Sequence, residues 1–421
     1  DEMGLGKTVQ ALAALRLLAL RQEVSSCLVV APVGVLSQWR DQFAAWAPEL
    51  RLSPVRGTPA ERDAQWRTPA HAHLVGYETL RADLALARNR VWDVVVVDEA
   101  QRIKNADSEL AAAVKSLRRR RAWALTGTPL ENRIEDLASI LEFLRPRLDD
   151  TEPAVVERTP AVRPALAGVL LRRRKAEVLE ELPPKIEAEL RLPMPAEQRE
   201  CYERAEREGL FQLRRQGPTI RVANVLELIL RLKQICNFDP ATGASAKMSD
   251  LERRIRLLRE SGERALVFSQ FVDDVHGAGA IARGLAGHHP LLITGRMSLP
   301  ERERTLRRFE TDPDHRVLVL SLRAAGVGLN LQAASYVFHF DRWWNPAVED
   351  QASDRSHRLG QTRPVNVYAY SLENTVEQRI AEILAQKRLL FEQVVEGTGI
   401  HVGSALTRDE LLRAVGLGAR A

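Results

Sequence analysis

The chain has 421 residues, of which 28% are charged and 45% hydrophobic, with a formal net charge of +5. At roughly 150 residues per domain this length suggests two or three domains, each able to bury a core without a disulfide or metal staple. Three cysteines with no Cys-x-x-Cys pair disfavour a disulfide scaffold or a zinc site, no apolar run is long enough for a membrane span, and a small basic excess does not by itself select a polyanionic partner.

The chain begins at Asp1, without Met, directly on Asp1-Glu2-Met3-Gly4-Leu5-Gly6-Lys7-Thr8. It is therefore read as a fragment cut on its N-terminal side, with no signal peptide visible. Thr8 to Leu20 has helical apolar spacing. Glycines before a helix let the backbone wrap a phosphate chain, and the helix N-terminus adds positive potential. Lys7 can reach the β- and γ-phosphates, and the Thr8 hydroxyl can bind Mg²⁺. The strict pattern wants Gly or Ala five residues before Gly6, where this chain has Asp1. Cys27 to Ala31 and His73 to Gly76 read as buried strands, with a helix between them over Val35 to Trp46. Val94 to Val97 is a third strand, ending in Asp98-Glu99-Ala100-Gln101. Carboxylates at the C-terminal edge of a parallel strand lie where such sheets bind ligands. Asp98 can hold Mg²⁺ through water, and Glu99 can orient or deprotonate an attacking water. Ala122 to Thr126 is a further strand. It runs into Thr126-Gly127-Thr128-Pro129, where the Thr126 and Thr128 hydroxyls can relay between nucleotide and a second ligand. Each piece alone is also an ordinary turn or strand end; a Gly-Lys-Thr followed by Val-Val-Val-Val-Asp-Glu-Ala is much rarer by accident.

From Arg147 to Ala246 the apolar spacing is helical, strands are scarce and prolines break the pattern, with Asp239 to Ser245 as a linker. A second α/β set follows: strands at Ala265 to Ser269, Leu291 to Thr294, Val317 to Ser321, Tyr336 to Asp341 and Val365 to Tyr370, and helices over Leu299 to Phe309 and Ala347 to Arg358. Alternation of this kind predicts parallel sheets covered by helices. After Ser321, Gly326 and Gly328 allow close backbone approach. If Ala347 to Arg358 is one helix, Gln351, Arg355 and Arg358 share a face. Two arginines there suit fingers on a γ-phosphate, a role worth about 10³–10⁵ in rate; the plainer reading is a solvated, salt-bridged face. The Gly-punctuated stretch from His401 is expected at the periphery.

Together these motifs resemble the Swi/Snf-type ATPases of helicase superfamily 2, in order and over nearly the whole chain. Asp1 to Thr8 is similar to that family's first helicase motif, Asp98 to Gln101 to the second and Leu125 to Asn132 to the third. Leu266 to Phe271, Ser321 to Leu331 and Asp350 to Gln361 resemble the fourth to sixth. Leu182 to Lys185 (LPPK), Leu230 to Asn237 (LRLKQICN) and Phe340 to Pro346 (FDRWWNP) are family-specific rather than general helicase features.

The resemblance implies an α/β fold of two RecA-like parallel-sheet lobes with a helical insertion between them. The expected divisions are 1–146 for the first lobe, 147–246 for a shortened insertion and linker, 247–400 for the second lobe and 401–421 for a tail. It implies ATP with Mg²⁺ in a cleft between lobes. Gly4, Gly6, Lys7, Thr8, Gln101, Gly328 and Gln351 would hold the nucleotide, and Thr8 and Asp98 the metal. Lys7, Asp98, Glu99, Arg355 and Arg358 would carry catalysis, with Thr126 and Thr128 coupling. It further implies DNA-stimulated hydrolysis and movement along duplex DNA. By analogy Ser37, Tyr77, Thr79, Ser269, Gln270 and Ser321 line the DNA track, with Arg172 to Lys175 as a further basic candidate. Trp343 and Trp344 lie near a groove or in the core. Gln101 stands where the family more often has His and is still expected to link the nucleotide to the lobe interface. The family's upstream Gln segment and first strand are absent from the sequence.

The expected partners are double-stranded DNA and a DNA-bound protein complex such as RNA polymerase, with no membrane. The motor is expected to be monomeric, cytoplasmic and nucleoid-associated in a bacterium. Two alternatives remain at this point: a strand-separating or RNA-directed helicase of the same superfamily, and a DNA-binding module whose ATP site is inactive.

Overall fold

A computed structural model describes residues 1–127, 134–145, 147, 169–171, 173, 175–179, 181–217, 220–325, 331–343, 346–358, 360–395 and 408–417. These fall into two units, with described residues up to Leu179 in the first and those from Glu181 in the second. Both units are built on parallel sheets flanked by helices, the predicted fold class.

The first unit has strands β1 (Cys27–Ala31), β2 (Leu52–Val55), β3 (Ala72–Gly76), β4 (Trp92–Asp98) and β5 (Arg119–Leu125), in the order β2-β3-β1-β4-β5, all parallel. A strand stretch buried on both faces needs apolar residues at every position, and β1 and the Val94–Val97 run of β4 supply them. Leu28, Val30, Val95 and Val97 face one core, with Leu80, Val114 and Phe143. Cys27, Val29, Val94 and Val96 face the other, with Leu12, Leu15, Trp39 and Phe43 from the helices Lys7–Leu20 and Leu36–Trp46. Each buried aliphatic side chain contributes about 1.5–3 kcal/mol. β2 (Leu-Ser-Pro-Val) is not among the expected strands, and its Pro54 has no amide to give to a ladder. It is tolerated because β2 is an edge and pairs only with β3. On the far side, the outer edge of β5 is capped by a bridge between Arg119 and Arg147.

The second unit has β6 (Lys185–Leu192), β7 (Ala265–Ser269), β8 (Leu291–Ile293), β9 (Val317–Ser321), β10 (Tyr336–His339) and β11 (Val365–Leu372), in the parallel order β6-β11-β10-β7-β9-β8. β6 lies inside the stretch read as helical insertion. It pairs with β11 along its whole length, Lys185 with Val365 through Leu192 with Leu372. Its alternation of charged and apolar residues is that of a half-solvated edge strand, which the scan for buried runs passes over. The helices Ala196–Gln216 and Val222–Asn237 of the same stretch also pack within this unit. Tyr202, Leu228, Ile229 and Leu232 meet Val376 and Ile380 of the helix Val376–Val395. The tail expected at the periphery does not stay there: the helix Arg408–Ala414 and its neighbour Val415 bury Leu411, Ala414 and Val415 in that cluster. Among the described residues, no helix is long and apolar enough to cross a membrane.

Candidate active site

In the first unit the helix Lys7–Leu20 starts on Gly6 at φ 70° and ψ 33°, with no side chain capping it. Gly4 is also left-handed, at φ 87°. A side chain in that region costs about 1–2 kcal/mol, so the loop's path is one that glycine permits. The uncapped first turn presents backbone N–H groups suited to an anion. Lys7 Nζ donates to the carbonyls of Asp1 (3.2 Å) and Glu2 (3.1 Å), which hold the ammonium over its own loop. The segment around Arg173 is strapped to the same loop. Arg173 ion-pairs with Asp1 at 2.5 Å, and the Lys175 amide donates to Glu2 Oε2 at 2.6 Å. Arg173 is thus engaged with Asp1 and Lys175 is buried, against their expected place on DNA; Arg172 and Arg174 lie outside the described residues.

At the end of β4, Asp98 Oδ2 accepts from Trp39 Nε1 at 2.8 Å and Oδ1 from the Glu99 amide at 2.9 Å. Burial first, and the neighbouring Glu99 charge second, push the Asp98 carboxyl up to about 6. Glu99 sits at φ 51° and ψ 54°, a left-handed conformation that costs a non-glycine residue of order 1 kcal/mol and turns the chain sharply out of the strand. A relay runs from there: Gln101 Nε2 donates to Glu99 Oε2 at 2.7 Å, and Thr126 Oγ1 donates to Gln101 Oε1 at 2.8 Å. Gln101 thereby joins the ends of β4 and β5. The next residue, Gly127, passes so near the phosphate-type loop that a Cβ there would lie 2.3 Å from Met3 Cγ and 3.6 Å from Lys7 Nζ. Gly4, Gly6, Lys7, Glu99, Gln101 and Thr126 therefore share one neighbourhood; Thr128 lies outside the described residues.

Mg²⁺ fits what is present. Thr8 and Asp98 offer only hard oxygen donors, and burial leaves the Asp98 carboxylate short of compensating charge. No cluster of three or more His, Cys, Asp or Glu exists among the described residues. A cation here would keep most of its shell for phosphate and water, as Mg²⁺ does.

Three of the expected DNA-track side chains are displaced inward. Tyr77 is buried, and its hydroxyl donates to the Asp98 carbonyl at 2.5 Å, so it braces the β4 turn instead of lining a track. Ser269 is buried and donates to Asp341 Oδ2 at 2.5 Å. Ser321, beside it in register, is buried as well. Ser37, Thr79 and Gln270 remain half-buried.

In the second unit the expected helix through Arg358 ends early, at Ser353 (Pro346–Ser353). Beyond it the amides of Arg355 and Ser356 bond three residues back, to Ala352 and Ser353. The Arg355 carbonyl is taken by the Leu331 amide at 3.2 Å, and the Ser356 carbonyl by Gln361 Nε2 at 3.2 Å. With those carbonyls used elsewhere the α-helix cannot continue. Gln351 is helical, whereas Arg355 and Arg358 stand on a turn, so the three do not share a helix face. Burial first and the Arg355 charge second lower the affinity of Arg358 for its proton, while Asp354 opposes them. Gly328 and Trp344 lie outside the described residues; Trp343 packs against the core.

Two of the three motifs that looked family-specific, LRLKQICN and FDRWWNP, share one buried network. Asp341 accepts from Ser269, from the Gln270 amide (2.8 Å) and from Asn237 Nδ2 (2.8 Å). Lys247 Nζ donates to Asn237 Oδ1 (3.1 Å) and to Glu377 Oε1 (2.6 Å), with both charged side chains fully buried. Lys233, also buried, donates to the Arg342 carbonyl at 2.5 Å, and Arg342 ion-pairs with Glu349 at 3.0 Å. Sequence reasoning marked LRLKQICN and FDRWWNP without finding this use. Helical spacing in a chain segment says nothing about which distant carboxylate a lysine meets. Trp39 was missed for a similar reason, since it repeats with Phe43 like any core residue.

Comparison with known proteins bears on what this arrangement is for. Residues 1–241 match the family described as SNF2-related domain, and residues 246–360 match Helicase conserved C-terminal domain. An uncharacterized ATP-dependent helicase of Mycoplasma pneumoniae is 34% identical over 430 residues, covering 98% of this chain and 41% of that protein. The putative ATP-dependent helicase/translocase YwqA of Bacillus subtilis is 32% identical over 431 residues, covering 94% of this chain and 46% of that protein. The chain thus spans less than half the length of these curated relatives. Among solved structures, the Sulfolobus solfataricus SWI2/SNF2 ATPase core in complex with dsDNA is 30% identical, covers 100% of this chain and 92% of its own, and superposes with a TM-score of 0.45.

Proposed function

Because the chain belongs to the SNF2-related family of ATP-dependent helicases, we propose that it is the motor core of a double-stranded DNA translocase that hydrolyses ATP to displace or remodel DNA-bound proteins. The observation that carries the catalytic part is the Glu99–Gln101–Thr126 relay beside the Lys7 loop. In this reading the uncapped helix start and Lys7 bind the phosphates, and Thr8 and Asp98 hold Mg²⁺. Bound Mg²⁺ would neutralise charge on the phosphate oxygens. Glu99, held by Gln101, orients the attacking water and accepts its proton. Arg355 and Arg358 stabilise charge on the transferring phosphoryl group. Thr126 passes the state of the site to the segment that follows β5.

Translocation must work on any sequence, so contacts go mainly to phosphates, which position without reading bases. Half-buried Ser37, Thr79 and Gln270 are the side chains left to contribute. FDRWWNP and the helical insert favour duplex translocation over strand separation, and bacterial relatives favour a DNA-bound complex such as RNA polymerase as the obstacle, in the cytoplasm.

Duplex DNA is expected to stimulate ATP turnover, with the DNA affinity behind that stimulation falling at least about 100-fold between 50 and 200 mM salt. Triplex displacement should proceed where strand displacement from a forked duplex does not. Turnover indifferent to both DNA and salt would overturn the DNA reading, and efficient strand displacement would favour a true helicase.

A further inference from the structure

Two helices of the first unit share one pattern. In Leu36–Trp46, Ser37 is half-buried and Trp39, two residues on, is buried; in Tyr77–Ala82, Tyr77 is buried and Thr79, two residues on, is half-buried. Residues two apart stand about 200° apart around a helix, so each helix turns a hydroxyl residue toward the surface and an aromatic donor inward. Both donors end on Asp98. Trp39 Nε1 donates to its carboxylate at 2.8 Å, and the Tyr77 hydroxyl to its carbonyl at 2.5 Å. β1 lies between β3 and β4, so Tyr77, just after β3, bridges two strand spacings, about 9.6 Å, to the end of β4. Gly76 lets the two helices start close together: a Cβ there would lie 3.1 Å from Val33 Cγ2 and 3.8 Å from both Leu36 Cδ1 and Thr79 Oγ1.

An ionised carboxylate has about four acceptor sites. The Trp39 bond on Oδ2 and the Glu99 amide on Oδ1 take one on each oxygen and fix the plane of the group. The sites that are left face whatever cation or water shell the group holds. A core role explains the burial of the two rings, but not why two helices deliver their polar atoms to the same residue.

We propose that Trp39 and Tyr77 are positioning residues through which duplex DNA, held at Ser37 and Thr79, sets the Asp98 carboxylate for Mg²⁺ and so raises turnover. This deepens the reading above and rests on it, for DNA at Ser37 and Thr79 and for Mg²⁺ at Asp98. A shift of either helix toward a DNA phosphate carries its aromatic donor along, and Asp98 follows the donor. The linkage is reciprocal, so a site filled with Mg²⁺ and ATP holds the helices where duplex binds best. Neither aromatic touches DNA or nucleotide.

The test measures that linkage in the full chain by three readouts: the Mg²⁺ concentration for half-maximal ATP turnover with and without duplex DNA, the duplex affinity without nucleotide, and the indole N–H resonances. In the wild type, duplex should lower the Mg²⁺ midpoint at least about fivefold. Trp39→Phe keeps a ring and loses the N–H. Without DNA it should raise the midpoint at least about tenfold, the usual cost of losing a group that orients a metal ligand. Duplex should then change the midpoint less than about twofold in Trp39→Phe, and in Tyr77→Phe as well. Both variants should bind duplex within about threefold of wild type, as changes away from the contact do. A merely structural role predicts lower melting temperatures with the duplex effect on Mg²⁺ intact. The full effect in both variants, or no effect in the wild type, overturns the proposal and leaves the ATPase reading standing; the full effect in one variant overturns it for that residue. If the wild type binds duplex but has no turnover, the ATPase reading fails and the indole resonance missing from Trp39→Phe decides: a shift on adding duplex supports the linkage, and no shift overturns it. A wild type that binds no duplex overturns the DNA reading and this proposal together. Should Trp39→Phe fail to fold, Tyr77→Phe decides the linkage alone.

Discussion

Asp98→Asn is expected to lower ATP turnover at least about a thousandfold and yet to raise the melting temperature of the unliganded chain. The loss follows from the proposed metal role, since removing several kcal/mol of charge stabilisation from the transition state corresponds to that factor. The gain follows from burial. The Asp98 carboxyl is pushed from an ordinary 3.8 up to about 6. Between those values the folded chain binds more protons than the unfolded one, so stability falls as pH rises through that window. Below pH 4 the penalty is absent, and above pH 6 it is complete. It amounts to at most about 3 kcal/mol, less once solvent at the half-buried carboxylate is counted. Asparagine removes the charge and still accepts the Trp39 bond, giving up only the bond from the Glu99 amide, which is worth less than the charge penalty removed. A rise of about 1–3 °C at pH 8 is expected, narrowing as pH falls from 6 toward 4. Lys7→Ala should also abolish turnover, without that pH-dependent gain. A variant destabilised at pH 8 would sink the electrostatic account of this site.

Lys247→Met should cost about 3–5 kcal/mol of stability, because it strands the Glu377 carboxylate in a dry interior. Glu377 would keep one weak donor, the Leu372 amide at 3.2 Å. The urea midpoint of the second unit should fall by at least about 1 M. Replacing both residues, as Lys247→Met with Glu377→Leu, should cost less than the single change, since removing a buried pair together is close to neutral. Additive losses would show that the two side chains are not coupled. The pair ties the helix Ala246–Glu260 to Val376–Val395, and through Asn237 it reaches Asp341 and the end of β7. Its loss should therefore disturb the Ser269–Asp341 contact before it disturbs the sheet.

Much of this was legible in the residues. Val94 to Val97 could only be a strand buried on both faces, and the carboxylates after it could only leave at the ligand-bearing edge. Gly4 and Gly6 before an apolar-periodic run marked a glycine-permitted turn into a helix, which is what the structure has. What escaped was set by tertiary geometry. Just beyond the helix Pro346–Ser353 the carbonyls of Arg355 and Ser356 are claimed by the Leu331 amide and the Gln361 side chain, and no local propensity records that Leu331 will do so. Tyr77 just after a strand and Ser269 and Ser321 at strand ends stand where a ligand-facing residue would, and only packing shows that they turn inward. β6 and β2 were passed over because edge strands are polar or carry proline, so they lack the apolar run that marks a central one.

Those same edges have a further consequence. All-parallel sheets assemble from distant segments, so partly folded chains leave strand rims exposed for long intervals. Pro54 offers no N–H to a foreign strand at one rim, and the arginines of β5 repel at the other. β8 is three residues long, and β6 alternates Lys185, Glu187, Glu189 and Arg191 along its length. Each of the four rims carries a feature that discourages templated aggregation, which suits a chain that must fold in a crowded cell.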